Sequence, residues 1–178
     1  GLVGSEMCIR DSHTMKNGLR VGIVGIVTDY VNIWEKEENL KGIHITDPFE
    51  AAKNALAQMK EQTDLTICIY HGGFECDLES GETLSQTTEN VGYRICKELD
   101  FDILLTGHQH MSVPGRDISG TYTVQPCDNA KEYQYLEVTM TDHEKSIRSE
   151  LRQSDAAKGT VLADKYRSTE NAVQAWLN

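Results

Sequence analysis

The chain has 178 residues, and 17 Lys and Arg against 28 Asp and Glu give it a formal net charge of −11. Its 39% hydrophobic and 25% charged residues are ordinary globular usage, which excludes collagen-like, disordered and coiled-coil classes. The acidic balance, without a stripe of basic residues and interleaved aromatics, argues against binding of a nucleic-acid polymer. A small phosphorylated substrate remains compatible if a metal supplies positive charge locally.

Membrane spans and disulfides are not expected from the sequence. No apolar run approaches the roughly 20 residues that a membrane span needs. The five cysteines are an odd number without a C-x-x-C pair, which argues against a disulfide framework and a structural zinc finger. The N-terminal residues lack the basic and apolar regions of a signal peptide.

The first twenty residues show neither helix nor strand periodicity and are predicted as coil. Residues 1–12 resemble a translated sequencing adaptor, so we interpret residues 1–15 as a non-native leader. Asp11-Ser12-His13 spells D-x-H there, but no apolar strand precedes it, and we interpret the match as a coincidence.

Buried strands and amphipathic helices alternate in the next part of the chain. Strands are predicted from short apolar, β-branched runs, and helices from a 3.6-residue apolar period with capping residues such as Asp47 and Pro48. The predicted elements are strand Leu19–Thr28, helix Thr46–Gln62, strand Leu65–Tyr70, helix Thr87–Leu99 and strand Asp102–Thr106.

Shorter, alternating strands follow at Thr121–Gln125, Tyr133–Thr141 and Ser146–Arg152. Strand–helix alternation followed by such a meander is typical of an α/β sheet with an antiparallel extension. Residues 160–178 place apolar side chains near one helical face with little core to pack on, so a helix leading toward another domain is predicted.

Histidines follow two of the predicted strands directly. His71 lies in Y-H-G-G-F-E, and His108 and His110 lie in T-G-H-Q-H. The carboxyl ends of neighbouring parallel strands meet at one edge of an α/β sheet, where ligands collect. Three imidazoles brought together there are typical of a metal site, and a loop that splays two of them suits two metal ions.

A structural role for these histidines is the alternative. A single His after a strand usually caps or hydrogen-bonds the chain, and G-H-x-H alone is suggestive of metal binding but not decisive. The two motifs together, each at a strand end with a helix between them, favour the metal site. Glycines 72, 73 and 107 are expected to let the backbone bend there.

These motifs also carry a family resemblance. Y-H-G-G-F-E, T-G-H-Q-H, V-Q-P and V-G-I-V-G-I-V-T-D-Y with I-W-E resemble the calcineurin-like metallophosphoesterase domain of the bacterial 5′-nucleotidase and 2′,3′-cyclic-nucleotide 2′-phosphodiesterase family. The resemblance runs from about Leu19 to Asn178. It implies half of a two-sheet sandwich with α-β-β-α layers, a parallel or mixed sheet and an antiparallel meander.

The resemblance also implies a function and a set of site residues. Two divalent ions (zinc, manganese, iron or magnesium) would serve hydrolysis of phosphate esters of nucleotides. His71 and His108 resemble ligands of one metal and His110 a ligand of the other. Apart from the resemblance, Glu75 and Gly107 are candidates to support the site or the substrate, and a solvated loop carboxylate is the alternative for Glu75. The family's D-x-H, G-D and G-N-H-D/E elements, which carry further ligands and the acid histidine, do not appear downstream of residue 15.

The chain therefore resembles the C-terminal part of a catalytic domain over residues 16–155, followed by a linker helix at 156–178 toward a nucleotidase domain. The alternatives are a metallophosphoesterase for a non-nucleotide phosphodiester and a non-catalytic α/β binding module. By resemblance, the intact parent is expected in an extracellular, cell-wall or periplasmic setting.

Overall fold

The computed structural model describes residues 9–141, 144–154 and 161–177. The predictions for residues 1–8 of the leader, for residue 155 at the end of the domain, and for residues 156–160 and 178 of the linker lie outside the described residues. Within them, the predicted C-terminal helix is confirmed as α4 (Val161–Leu177). Its role as a linker stays a prediction.

The described part of the chain alternates strands and helices from its second strand to its fourth and then continues with four more strands. The strands are β1 (Ile9–Thr14), β2 (Arg20–Val27), β3 (Leu65–His71), β4 (Ile103–Thr106), β5 (Val113–Ile118), β6 (Thr121–Gln125), β7 (Glu132–Met140) and β8 (Lys145–Gln153). The helices are α1 (Val31–Trp34), α2 (Pro48–Met59) and α3 (Gly92–Glu98), and a 3-10 turn at Lys60–Gln62 follows α2.

A mixed six-stranded sheet forms the centre, with the strand order β1-β2-β3-β4-β6-β5. Strands β2, β3, β4 and β6 run parallel, and the two edge strands run antiparallel to their neighbours. Val27 pairs with His71, and Tyr70 pairs with Thr106, so the ends of β2, β3 and β4 are neighbours. The predicted meeting of strand ends at one edge of the sheet is therefore confirmed.

Helices α2 and α3 cover one face of this sheet. Helix α2 begins as the sequence predicts, because the Asp47 carboxylate accepts a hydrogen bond of 3.0 Å from the Glu50 backbone N–H and Pro48 is the first helical residue. Its apolar side chains meet the sheet in a buried core that includes Phe49, Leu56, Ile95 and Leu104. Each such side chain contributes about 1.5–3 kcal/mol through burial.

The hairpin of β7 and β8 lies over the opposite face of the sheet. Leu136, Val138 and Ile147 pack there against Val21, Leu65 and Ile103. A hydrogen bond of 2.9 Å between the Tyr122 and Ser149 hydroxyls also joins the two sheets. Helices on one face and a second sheet on the other agree with the sandwich expected from the sequence. None of the described helices has the length and apolar character to span a membrane.

The N-terminal segment differs from the prediction, since residues 9–14 form strand β1 rather than coil. They pair antiparallel with β2, whose free edge offers unpaired backbone groups. The turn contains Asn17-Gly18, a typical hairpin signal, with Gly18 at φ 88°. His13 pairs with Val21, at the opposite end of β2 from the histidine loops, so D-x-H stays separate from them.

Three further elements differ from the sequence prediction. Strand β5 was not predicted, and β6 does not join β7 and β8 in a meander, because it lies parallel to β4 in the central sheet. Helix α3 begins at Gly92 instead of Thr87. The residues before Gly92 make tertiary hydrogen bonds instead of helical ones, since Asn90 Oδ1 accepts from the Gly73 N–H at 2.7 Å.

Candidate metal centre

The loops after β3 and β4 bring two of the predicted histidines together. His71 is the last residue of β3, and His108 follows β4 after Gly107. The Gly107 N–H donates a hydrogen bond of 3.2 Å to the Gly72 carbonyl, which ties the two loops together. The ring centroids of His71 and His108 are 5.4 Å apart. The structure therefore places these imidazoles side by side at the edge of the sheet.

The backbone of the second loop has an unusual conformation. His108 has φ 69° and His110 has φ 55°, in the left-handed region that residues with a Cβ seldom adopt. Such a conformation costs about 1–3 kcal/mol per residue and persists where surrounding contacts enforce it, often at functional sites. The side chain of His110 is exposed two residues beyond His108.

The loop glycines act through close packing rather than through a left-handed backbone. Positive φ angles fall on the two histidines and not on Gly72, Gly73 or Gly107. A Cβ atom at Gly73 would lie 2.0 Å from Gln109 Oε1. These glycines therefore do not supply a left-handed backbone: Gly72 lies at a bend, and Gly73 is needed for the close approach of the two loops.

Gln109 joins the two histidine loops through a pair of hydrogen bonds to Phe74. The Phe74 N–H donates to Gln109 Oε1 at 2.7 Å, and Gln109 Nε2 donates to the Phe74 carbonyl at 2.9 Å. Gln109 lies between His108 and His110 in the chain. The Gln109 side-chain amide bonds both backbone groups of Phe74, as a neighbouring β-strand would. This contact holds the T-G-H-Q-H loop in position against the Y-H-G-G-F-E loop.

Two residues that contact His108 were not identified from the sequence. Glu89 Oε1 lies 3.0 Å from His108 Nε2, and the Trp34 ring lies 5.0 Å from the imidazole, centroid to centroid, with a tilt of 30°. In the sequence, a Glu just before a helix is typical of capping, and a Trp in a loop is typical of surface packing. Both positions follow from topology, since the loop after β2 and the residues before α3 lie at the same sheet edge as the histidines.

Glu75 is engaged with the start of α3. Its two carboxylate oxygens accept hydrogen bonds from the backbone N–H groups of Tyr93 at 3.0 Å and Arg94 at 2.7 Å. Val91, at the cap position, makes no capping bond with its side chain, so Glu75 caps the helix from another segment. Burial raises the pKa of Glu75, and these hydrogen bonds oppose that shift.

The electrostatics of His71 suit a metal ligand. Partial burial lowers its pKa below the ordinary value, and charge on His108 or His110 lowers it further. Neutral imidazole, the form that binds metal ions, is therefore favoured. A closed metal site needs about four ligands, so the imidazoles of His71, His108 and His110 fit only part of a divalent-metal centre. Within residues 9–141, 144–154 and 161–177, no group of three or more His, Cys, Asp or Glu side chains is arranged to hold an ion by itself.

Comparison with known proteins identifies curated relatives named for cleavage of nucleotides. The chain is 28% identical over 116 residues to the 2′,3′-cyclic-nucleotide 2′-phosphodiesterase/3′-nucleotidase of Salmonella typhimurium, which covers 64% of this chain and 17% of that protein. It is 29% identical over 100 residues to the 5′-nucleotidase of Vibrio cholerae, covering 55% and 18%. The chain thus spans less than a fifth of the length of these relatives. No family model matches it.

A solved structure has the same fold. A protein from Staphylococcus aureus named as a 5′-nucleotidase aligns with a TM-score of 0.77 and 29% sequence identity, covering 85% of this chain and 31% of that one. The resemblance to the nucleotidase and cyclic-nucleotide phosphodiesterase family is confirmed by these matches, as is the α/β fold.

Proposed function

We propose that this chain provides the histidine side of a two-metal centre in a hydrolase that cleaves phosphate esters of nucleotides. The observation that carries the proposal is the side-by-side placement of His71 and His108, whose ring centroids are 5.4 Å apart at the ends of neighbouring parallel strands. Relatives named as nucleotide phosphoesterases support the choice of substrate class. By the same resemblance, the proposed setting of the intact protein is extracellular, cell-wall or periplasmic.

In this proposal the three histidines bind the metal ions, and Gln109 and Gly73 position the loops that carry them. His71 and His108 hold one divalent ion, and His110, on its splayed backbone, faces the neighbouring one. Such ions lower the pKa of a bound water and stabilise charge on the phosphate oxygens when bound. Gln109 and Gly73 keep the two loops at the spacing that the ligands require. The local positive charge also offsets the repulsion between a phosphate and a chain of net charge −11.

The first test is metal binding by the 178-residue chain. Isothermal titration with Zn²⁺ or Mn²⁺ at neutral pH is expected to give weak binding, above micromolar Kd, since the described histidines supply only part of a ligand set. His108→Ala is expected to abolish it, and His44→Ala, at an exposed His outside the site, is expected to leave it unchanged. Binding that survives His108→Ala, or no binding at all, would favour the non-catalytic module.

The second test is hydrolysis in a chimera. Residues 20–154 replace the matching segment of the Salmonella typhimurium relative, and turnover of AMP, 2′,3′-cyclic AMP and bis-p-nitrophenyl phosphate is measured with Mn²⁺. We expect the chimera to turn over the nucleotides. His110→Ala is expected to abolish this turnover in a chimera that still folds. Turnover of bis-p-nitrophenyl phosphate alone would instead support a non-nucleotide phosphodiester as substrate.

The 178-residue chain by itself is expected to show no turnover. Its described residues offer His71, His108 and His110 but no bridging carboxylate, and general-acid assistance alone is typically worth 10²–10⁴-fold. Mn²⁺-dependent hydrolysis by this chain that is lost in His108→Ala would mean that the complete ligand set lies within it, contrary to the proposal.

A further inference from the structure

We infer that Glu89 is a positioning residue for His108: its carboxylate accepts the Nε2–H of the imidazole, fixes the ring in one tautomer and leaves Nδ1 to bind a divalent cation. This inference rests on the proposed metal centre and names a residue outside its ligand set. It starts from the contact of 3.0 Å between His108 Nε2 and Glu89 Oε1.

The chemistry of the two groups decides which atom donates. An ionised carboxylate only accepts hydrogen bonds, so Nε2 must carry the proton in this contact. In a neutral imidazole the other nitrogen, Nδ1, then holds the lone pair. Nδ1 makes no hydrogen bond to the part of the chain that the structure describes. A histidine that ligates a metal commonly donates its second N–H to a carboxylate in this way.

The position of Glu89 is set by contacts other than that with His108. The Tyr70 hydroxyl donates to the Glu89 carbonyl at 3.1 Å. On either side, the Thr88 hydroxyl donates to Asp29 at 3.1 Å and Asn90 accepts from the Gly73 N–H at 2.7 Å. These three hydrogen bonds reach β3 and the loops after β2 and β3, so the backbone that carries the Glu89 carboxylate is fixed independently of His108.

The ring of His108 is held from a second direction as well. Trp34 packs against it at 5.0 Å with a tilt of 30°, and the residue keeps a left-handed backbone at φ 69°. The ring is thus held by packing and by a hydrogen bond at Nε2. Because any hydrogen bond to this carboxylate places the proton on Nε2, cation binding at Nδ1 is what distinguishes the inferred role from a merely structural contact.

The tautomer can be read directly without metal. Long-range ¹H–¹⁵N spectra of the full 178-residue chain, labelled in histidine and recorded at pH 8, report which nitrogen is protonated, with His108 assigned from His108→Gln. We expect protonated Nε2 and bare Nδ1 in the wild type, and a mixture of tautomers in Glu89→Ala. The control Glu82→Ala removes the same charge from an exposed site and should match the wild type. A protonated Nδ1 in the wild type, or an unchanged tautomer in Glu89→Ala, would overturn the inference.

Zn²⁺ titration of the same samples tests the consequence for binding. We expect Zn²⁺ to shift the Nδ1 resonance and Glu89→Ala to weaken binding by about 10- to 100-fold, the usual effect of losing such a partner. Glu89→Gln keeps an oxygen acceptor and should restore most of the affinity, with circular dichroism to check that each variant folds. Equal Zn²⁺ affinity in Glu89→Ala and wild type would overturn this inference and leave the proposed function intact. No Zn²⁺ shift at His71 or His108 in the wild type would overturn both.

Discussion

Gly92 lies directly against the backbone of Gly73. The Gly92 N–H donates to the Gly73 carbonyl at 2.9 Å, and a Cβ atom on Gly92 would lie 2.6 Å from the same oxygen. Real Cβ atoms do not approach an oxygen so closely. The first residue of α3 is therefore in contact with the loop that follows His71, and only glycine fits between them.

Replacement of Gly92 by alanine should destabilise the protein. In an ordinary helix this change stabilises by roughly 0.5–1 kcal/mol, but here the added methyl meets backbone that cannot rotate away, at a cost of about 1–3 kcal/mol. Urea unfolding measures the difference in the free energy of unfolding. Lys97→Ala, at an exposed position of α3, is the control and should change it by no more than about 0.5 kcal/mol. A Gly92→Ala protein as stable as the wild type would contradict the close contact.

Gln109→Ala should loosen the two histidine loops. It removes both hydrogen bonds to Phe74 and leaves a backbone N–H and a carbonyl without their partner, at about 1–3 kcal/mol for each buried group. We expect a lower free energy of unfolding and faster hydrogen exchange at the Phe74 amide. Gln86→Ala, at an exposed site in the preceding loop, should leave both unchanged. Unaltered hydrogen exchange at the Phe74 amide in Gln109→Ala would show that the Gln109 side chain does not hold the two loops together.

The ion pair at the start of β2 should make stability depend on pH. Asp64 accepts hydrogen bonds from the Arg20 side chain at 2.6 Å and from its backbone N–H at 2.9 Å, which lower the pKa of Asp64 to about 2. Because the folded-state pKa lies below the unfolded value of about 3.9, the stabilisation is complete above that value and is lost as the pH falls toward 2.

The difference in unfolding free energy between wild type and Asp64→Asn should accordingly be larger at pH 6 than at pH 3. Arg20→Gln removes the partner of the same pair and should show the same trend. Urea unfolding at the two pH values provides the measurement. A difference that does not shrink at pH 3 would mean that the pair does not lower the pKa of Asp64 in solution.

Trp34 should report ligand binding at His108 through its fluorescence. The chain has two tryptophans, and the Trp34 ring is 5.0 Å from the imidazole while Trp176 lies exposed on α4. Zn²⁺ at His108 changes the charge beside the indole, so we expect the emission of Trp34 to shift. The shift should persist in Trp176→Phe and disappear in Trp34→Phe. A Zn²⁺-dependent signal that survives in Trp34→Phe would contradict this assignment.

The sequence by itself determined the parts of the molecule that depend on near neighbours in the chain. The buried runs of β2, β3 and β4 are recognisable because strands covered on both faces are almost continuously apolar. The start of α2 follows from Asp47 and Pro48, whose effects act within one turn. The histidine loops follow from two local motifs and from the rule that parallel strand ends share an edge.

Only the tertiary structure decided the contacts between segments that are distant in the chain. Strand β1 forms because the edge of β2 is available, although its residues show no strand period of their own. Strand β6 is recognisable from its alternation, but its pairing with β4 is decided by the sheet that already exists. Glu89 contacts His108 across 19 positions, and Thr88 contacts Asp29 across 59. The hydrogen bonds and packing that select such partners depend on positions in space, and hydrophobic periodicity carries no information about them.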